Sequence, residues 1–121
     1  MREEKQRLTM ARTKRFALAV IRVYSLLSKS TVEQVLGRQV LRSGTSVGAH
    51  YREACRAKSN ADFISKVEGA LQELDETIYW LELLQESECT RAVDVEPVAN
   101  EANELIAVFV TVVRSVKARG S

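Results

Sequence analysis

The chain has 121 residues, of which 45% are hydrophobic and 28% charged, with one proline and five glycines. This length and composition are typical of a single globular domain built from long helices with short connections. No run approaches the ~20 apolar residues that a membrane span requires, and the N-terminus lacks the apolar region of a secretion signal. We therefore expect one domain, residues 1–121, in the cytoplasm.

The charge is distributed unevenly although the formal net charge is only +2. Residues 1–58 hold 13 Lys and Arg against 4 Asp and Glu, whereas residues 59–121 hold 5 against 12. A basic helix pair that packs beside an acidic pair would account for this polarity. A basic face that meets an anionic partner would account for it equally.

Apolar residues at three- and four-residue steps predict two helices in the basic half, over residues 3–28 and 31–57. Thr31-Val-Glu-Gln34 matches a capping box at the start of the second. The residues expected in the core are Leu8, Phe16, Val20, Val23, Tyr24 and Leu27 in the first helix, and Leu36, Val40, Ser43, Val47, Tyr51 and Ala54 in the second.

The acidic half predicts two more helices, over residues 60–87 and 97–117. Ser59 or Asn60 is suited to cap the third helix, and Pro97 is suited to the first position of the fourth. Four helices of this length joined by short loops predict an all-α, antiparallel, up-down-up-down four-helix bundle.

The second helix carries two faces besides its core face. Gly44 and Gly48 lie one turn apart on a flank, where they predict close approach of another helix of the same chain or of a neighbouring subunit. Opposite the core, a row of cations about 30 Å long is suited to follow an RNA phosphate backbone or to pair with glutamates of a neighbouring helix or subunit. This arginine stripe consists of Arg38, Arg42, Arg52 and Arg56, with Lys58 just beyond it.

No catalytic or metal-binding constellation is evident. His50 is the only histidine and forms with Glu53 half of a metal motif, whereas a ferritin-like di-iron centre needs two Glu-x-x-His motifs. His50 and Cys55 point about 140° apart on a helix, which excludes a nucleophile pair. Cys55 and Cys89 lack zinc-site spacing and are expected to be reduced. We expect no enzyme activity, no metal or other cofactor and no small-molecule substrate.

The segment RSGTSVGAHYREA (42–54) resembles the central signature of the four helix bundle proteins, also called the 23S rRNA intervening-sequence protein family. That signature is of the type R-[SA]-x-x-S-[IV]-x-A-N-x-x-E-[AG]. The segments KSNADFI (58–64) and GALQELDET (69–77) resemble the family's helix-3 entry and core, and the resemblance covers residues 12–118. The motif positions are Arg42, Ser46, Gly48, Ala49, His50, Tyr51, Arg52 and Glu53, with His50 where the family usually has Asn.

The resemblance implies a bacterial, cytoplasmic bundle that assembles as a homopentameric ring and whose biochemical role is undefined. It assigns the motif residues to packing or subunit contact, and His50 would replace the hydrogen bonds of the usual Asn only in part. A related group, the accessory variability proteins of diversity-generating retroelements, is similar in fold and associates with a reverse transcriptase and RNA.

Two functions are therefore expected. The first is a non-enzymatic, homo-oligomeric scaffold or interaction protein that uses the small flank of the second helix and the broad apolar surface of the third. The residues that widen this apolar surface are Ile64, Leu71, Ile78, Tyr79, Trp80, Leu83 and Leu84. The alternative is RNA or nucleoprotein binding through the arginine stripe.

Overall fold

The structure, a computed structural model, describes residues 2–87 and 94–120, and these residues form four α-helices and no strand. The helices are α1 (Arg2–Leu26), α2 (Thr31–Cys55), α3 (Asn60–Glu86) and α4 (Glu96–Gly120). The class is therefore all-α, as the apolar periodicity predicts. The observed ends differ from the predicted ends by up to three residues, and the largest difference is the extension of α4 beyond residue 117.

The observed N-cap of α2 lies one residue before Thr31, the predicted cap. Ser30, in extended backbone, is the N-cap, and its side chain accepts a hydrogen bond from the Glu33 N–H. The Glu33 carboxylate accepts from the Ser28 N–H at 3.1 Å and from the Ser28 hydroxyl at 2.5 Å. These hydrogen bonds lower the pKa of Glu33 because they favour its ionised form. Thr31 is the first helical residue rather than the cap.

The helices are arranged so that α2 packs against α1 and α3, and α4 packs against α3 and α1. The α2 and α3 helices run antiparallel, since Ser43 bonds to Thr77 while Glu53 pairs with Lys66. Short connections make the other sequential neighbours antiparallel as well. The largest fully buried side chains are Phe16, Phe109, Leu74, Leu81, Leu84, Leu105, Val20, Val40, Val47, Val67, Thr13 and Thr77.

Three predicted core residues are less buried than expected. Leu8 is 57% exposed, because it lies about 80° from Phe16 around the helix and so points away from the core. Tyr24 and Leu36 are half-buried and pack against the edge of the core. The remaining core residues predicted in the first two helices are buried.

The glycine flank of α2 is filled by α1 of the same chain. A Cβ on Gly44 would lie 2.7 Å from Val20 Cγ2, and one on Gly48 would lie 3.1 Å from Thr13 Oγ1. Gly37 extends this seam, since its Cβ would meet Leu27. The expectation that this flank forms a subunit interface is therefore wrong, because α1 occupies the space that the missing side chains leave.

Candidate interaction surfaces

One member of the arginine stripe forms ion pairs within the bundle, and the others form none with the described residues. Arg42 lies 2.6 Å from Glu76 and 3.4 Å from Glu73 on α3, and the bond to Glu76 raises the pKa of Arg42. The other members of the stripe, with the adjacent lysine, are exposed and form no ion pair with any residue that the structure describes. They are Arg38, Arg52, Arg56 and Lys58.

His50 lies in the contact between α2 and α3. Its Nε2 is 3.5 Å from Glu73 Oε2, and its ring packs on Gly69, where an added Cβ would lie 3.0 Å from Nδ1. Glu73 therefore contacts both Arg42 and His50 while its side chain is only 16% exposed. His50 therefore takes part in the packing of α2 on α3, where Gly69 leaves room for its imidazole.

The other motif residues are distributed between packing and solvent. Tyr51 is buried and stacks on Phe109, with ring centroids 5.3 Å apart. Ser46 donates its hydroxyl hydrogen to the Arg42 carbonyl, and Glu53 lies 3.4 Å from Lys66 on α3. Ala49 is exposed. These contacts hold α2 within its own bundle.

The distribution of ion pairs bears on the two explanations for the charge polarity. Within residues 2–58, only Arg7, Arg12 and Arg42 form an ion pair with a described carboxylate. Arg12 joins α1 to α4 through Glu101 at 2.7 Å and Glu104 at 3.0 Å. The ten other cations of this half are exposed. Pairing inside the bundle therefore neutralises a small part of the basic charge, and most of it faces solvent.

A row of carboxylates on α3 forms a second charged surface, which the sequence pattern places outside the apolar face but does not by itself mark as a binding surface. Its members are seven, seven and four residues apart, so they share one face of the helix. All are exposed, and within the described residues Glu68 alone has an ion-pair partner, Lys117 at 4.0 Å. The seven-residue spacing was the available signal. This acidic stripe consists of Glu68, Asp75, Glu82 and Glu86.

Large apolar side chains also remain exposed. Leu18 and Ile21 lie one turn apart on the outer face of α1, and Val32 and Val35 lie near the start of α2. On α3, Tyr79 is 53% exposed and packs edge-on against Trp80, with ring centroids 5.1 Å apart. Seven such residues are exposed among those described: Leu8, Leu18, Ile21, Leu26, Val32, Val35 and Tyr79.

The predicted apolar interface on the third helix is narrower than expected. Ile64, Leu71 and Ile78 are half-buried and pack against the core of their own chain. Tyr79 is the α3 member of the exposed apolar set in the described part of the chain. Trp80 also packs against this core, with its indole N–H buried.

The described residues contain no group of three or more His, Cys, Asp and Glu side chains placed to hold a metal ion. Cys55 is half-buried, and burial raises the pKa of its thiol, so the thiol is not activated as a nucleophile. Burial likewise raises the pKa of the Tyr51 hydroxyl. Cys89 lies outside the described residues. In the same part of the chain, no helix is both long enough and apolar enough to span a membrane.

Comparison with known proteins identifies a family and a similar solved structure. Residues 6–110 match the model of the family described as 23S rRNA-intervening sequence protein. A crystal structure of a protein of unknown function from the S23 ribosomal protein family of Bacteroides thetaiotaomicron is similar at 37% sequence identity. The match covers 91% of this chain and 98% of the other, with a TM-score of 0.82. No match was found among curated proteins.

Proposed function

The chain belongs to the 23S rRNA-intervening sequence protein family, and we propose that it acts as a non-enzymatic, homo-oligomeric scaffold or interaction protein. The observation that supports self-association is the set of seven large apolar side chains that are 45–60% exposed. Burying such a side chain fully stabilises a complex by roughly 1.5–3 kcal/mol. The family resemblance makes a pentamer the expected form.

The exposed pair Leu18 and Ile21 is the apolar surface to test. Both lie on the outer face of α1, so polar replacements there leave the core of the subunit intact. Light scattering of the wild type at about 10 μM is expected to give a mass several times the 13.6 kDa of one chain. Leu18→Ser with Ile21→Ser is expected to lower that mass, because burial of these side chains favours association.

Leu26→Ser serves as the matched control, since Leu26 is 60% exposed but lies on a different arc of α1. Its variant is expected to retain the wild-type mass. A wild-type mass of 13.6 kDa throughout the micromolar range contradicts the proposal, whatever the variants do.

A second candidate function is RNA or nucleoprotein binding through the arginine stripe. It is supported by the exposure of Arg38, Arg52, Arg56 and Lys58 without an ion-pair partner among the described residues. Phosphate contacts by such cations make affinity fall with salt, with a log–log slope of about −0.7 to −0.9 per contact. Arg42 is expected to contribute less, because Glu73 and Glu76 hold it.

The test is the binding of a structured RNA at 50 and 200 mM salt. Changing Arg38, Arg52 and Arg56 to Glu is expected to reduce both the affinity and its salt dependence. The absence of binding at low salt, or binding that the three changes leave intact, counts against this function.

A further inference from the structure

We infer that the subunits associate face to back, with the arginine stripe of α2 in one copy lying against the acidic stripe of α3 in the next. The inference rests on the homo-oligomer proposed above and identifies the two surfaces that meet. The partner of each stripe is thus a second copy of this chain.

The two stripes are equal in length and opposite in charge. Arg38 to Arg56 and Glu68 to Glu86 each span 18 residue steps, or about 27 Å of helix at 1.5 Å per residue. Beyond Arg42 and Glu68, neither stripe has an ion-pair partner among the described residues. Three cations, Arg38, Arg52 and Arg56, and three carboxylates, Asp75, Glu82 and Glu86, are therefore available among the described residues of one molecule.

Three members of the arginine stripe, Arg38, Arg52 and Arg56, lie on the side of α2 that faces away from α3, whereas Arg42 reaches α3. Measured around α2 from the core residue Val40, Arg52 and Arg56 lie at about 120° and 160°. Gly48, which faces α1, lies at about 80° in the same direction, whereas His50, which faces α3, lies at about 80° in the opposite direction. The stripe therefore faces outward beside α1.

The acidic stripe lies on the side of α3 that faces away from α2. Measured from Leu74, Asp75 and Glu82 lie at about 100° and 80°, whereas Thr77, which bonds to α2, lies at about 60° in the opposite direction. Lys117 of α4 reaches Glu68, which marks the stripe as the α4 side. Separation of the two stripes on the bundle prevents them from pairing within one chain.

Two different surfaces of the same subunit make a heterologous contact, which produces a closed ring or an open chain of subunits. A contact between identical surfaces would bring like charges together, and like charges across an interface weaken association. The charge pattern therefore favours a heterologous assembly over an isologous dimer.

Apolar side chains lie beside both stripes. Tyr79 falls between Asp75 and Glu82 on α3 and is exposed. Because Val20 packs on Gly44, the exposed Leu18 and Ile21 of α1 lie level with the middle of the arginine stripe. Exposed ion pairs contribute only about 0–1 kcal/mol each, so the charges orient the subunits and these apolar side chains supply most of the affinity.

A second copy fits the arginine stripe better than RNA does, because the complement is present in the chain itself. The formal net charge of +2 shows that the acidic surfaces nearly balance the basic ones. An RNA-binding protein instead gains affinity from uncompensated positive charge.

The experiment exchanges the charges. One variant carries Arg52→Glu and Arg56→Glu, a second carries Asp75→Lys and Glu82→Lys, and a third carries all four changes. Each two-site variant is expected to weaken association about 100-fold, because like charges then face each other. The four-site variant is expected to recover the wild-type mass, since its stripes are complementary again. Light scattering at about 10 μM and 100 mM salt measures the outcome, and circular dichroism verifies folding.

Lys5→Glu with Arg119→Glu is the control for the arginine variant, because it also reverses two positive charges, at exposed residues outside both stripes. It is expected to keep the wild-type mass. A wild type that is monomeric overturns the homo-oligomer and this inference together.

An oligomeric wild type whose two-site variants keep their mass overturns the face-to-back contact alone. If the arginine variant stays oligomeric but loses affinity for structured RNA, the stripe binds RNA and the inference is wrong.

Discussion

Gly44→Ala tests the packing of α1 on α2 most sharply. A Cβ at position 44 would lie 2.7 Å from Val20 Cγ2, 2.9 Å from Cγ1 and 3.2 Å from Cβ. Rotation of the Val20 side chain does not relieve the contact, because its Cβ itself lies within 3.2 Å. The two helices must move apart instead.

Two opposing effects set the magnitude. Replacing glycine by alanine within a helix stabilises it by about 0.5–1 kcal/mol. Overpacking a well-filled core destabilises it by typically 1–3 kcal/mol. We expect the overpacking to dominate, because the contact is with a β-branched side chain that is fully buried. The free energy of unfolding should fall by about 1–2 kcal/mol.

The assay is equilibrium unfolding in urea, with Gly37→Ala as the matched control. At Gly37 an added Cβ would lie 2.5 Å from Leu27 Cδ1, the end of a flexible side chain, and 3.0 Å from Cδ1 of the half-buried Tyr24 ring. These side chains can shift without separating the helices, so a smaller loss is expected. Val20→Ala combined with Gly44→Ala should cost less than the sum of the two single changes. An unfolding free energy for Gly44→Ala equal to or above that of the wild type would show that α1 does not pack against Gly44 as tightly as these distances indicate.

Three other substitutions test the ion pairs of α1 and the cap of α2. Arg12→Ala should lower the unfolding free energy by about 1 kcal/mol, because it removes the half-buried ion pair between α1 and Glu101 of α4. Arg7→Ala breaks an exposed ion pair and should change the unfolding free energy by less than about 0.5 kcal/mol. Folding lowers the pKa of Glu33 through its hydrogen bonds to Ser28, so the ionised carboxylate stabilises the folded state. This stabilisation is present above the ordinary carboxyl pKa of about 4.3 and is lost as the pH falls through the pKa that Glu33 has in the folded state. Glu33→Gln should therefore flatten the acid limb of a stability–pH curve measured by urea unfolding, and an unchanged acid limb would count against the cap network.

The helices and most of their core residues follow from the apolar repeat, because the repeat determines which side of each helix is buried. Phe16, Val40 and Val47 illustrate this, since each falls on its predicted face and is buried. Leu8 does not, because an apolar residue at the edge of the repeat is buried only if a neighbouring helix covers it. The cap of α2 was displaced by one residue because Ser30 and Thr31 are both chemically suited to the position.

The partners of the charged and small residues depend on how the helices are aligned, which the sequence does not specify. Gly44 and Gly48 predict a close neighbour, but the alignment of α1 decides that Val20 and Thr13 fill the space. Arg42 reaches Glu76 while Arg52 has no carboxylate partner in the described part of the chain, although both belong to the same stripe. The acidic stripe is available to another molecule because α3 turns it away from α2, and the sequence does not specify that rotation.

Native mass spectrometry of the wild type at about 10 μM shows whether this chain works as an assembly of identical subunits. We expect a dominant species whose mass is an integer multiple of 13.6 kDa, with five subunits as the expected number. A single species at 13.6 kDa would contradict it.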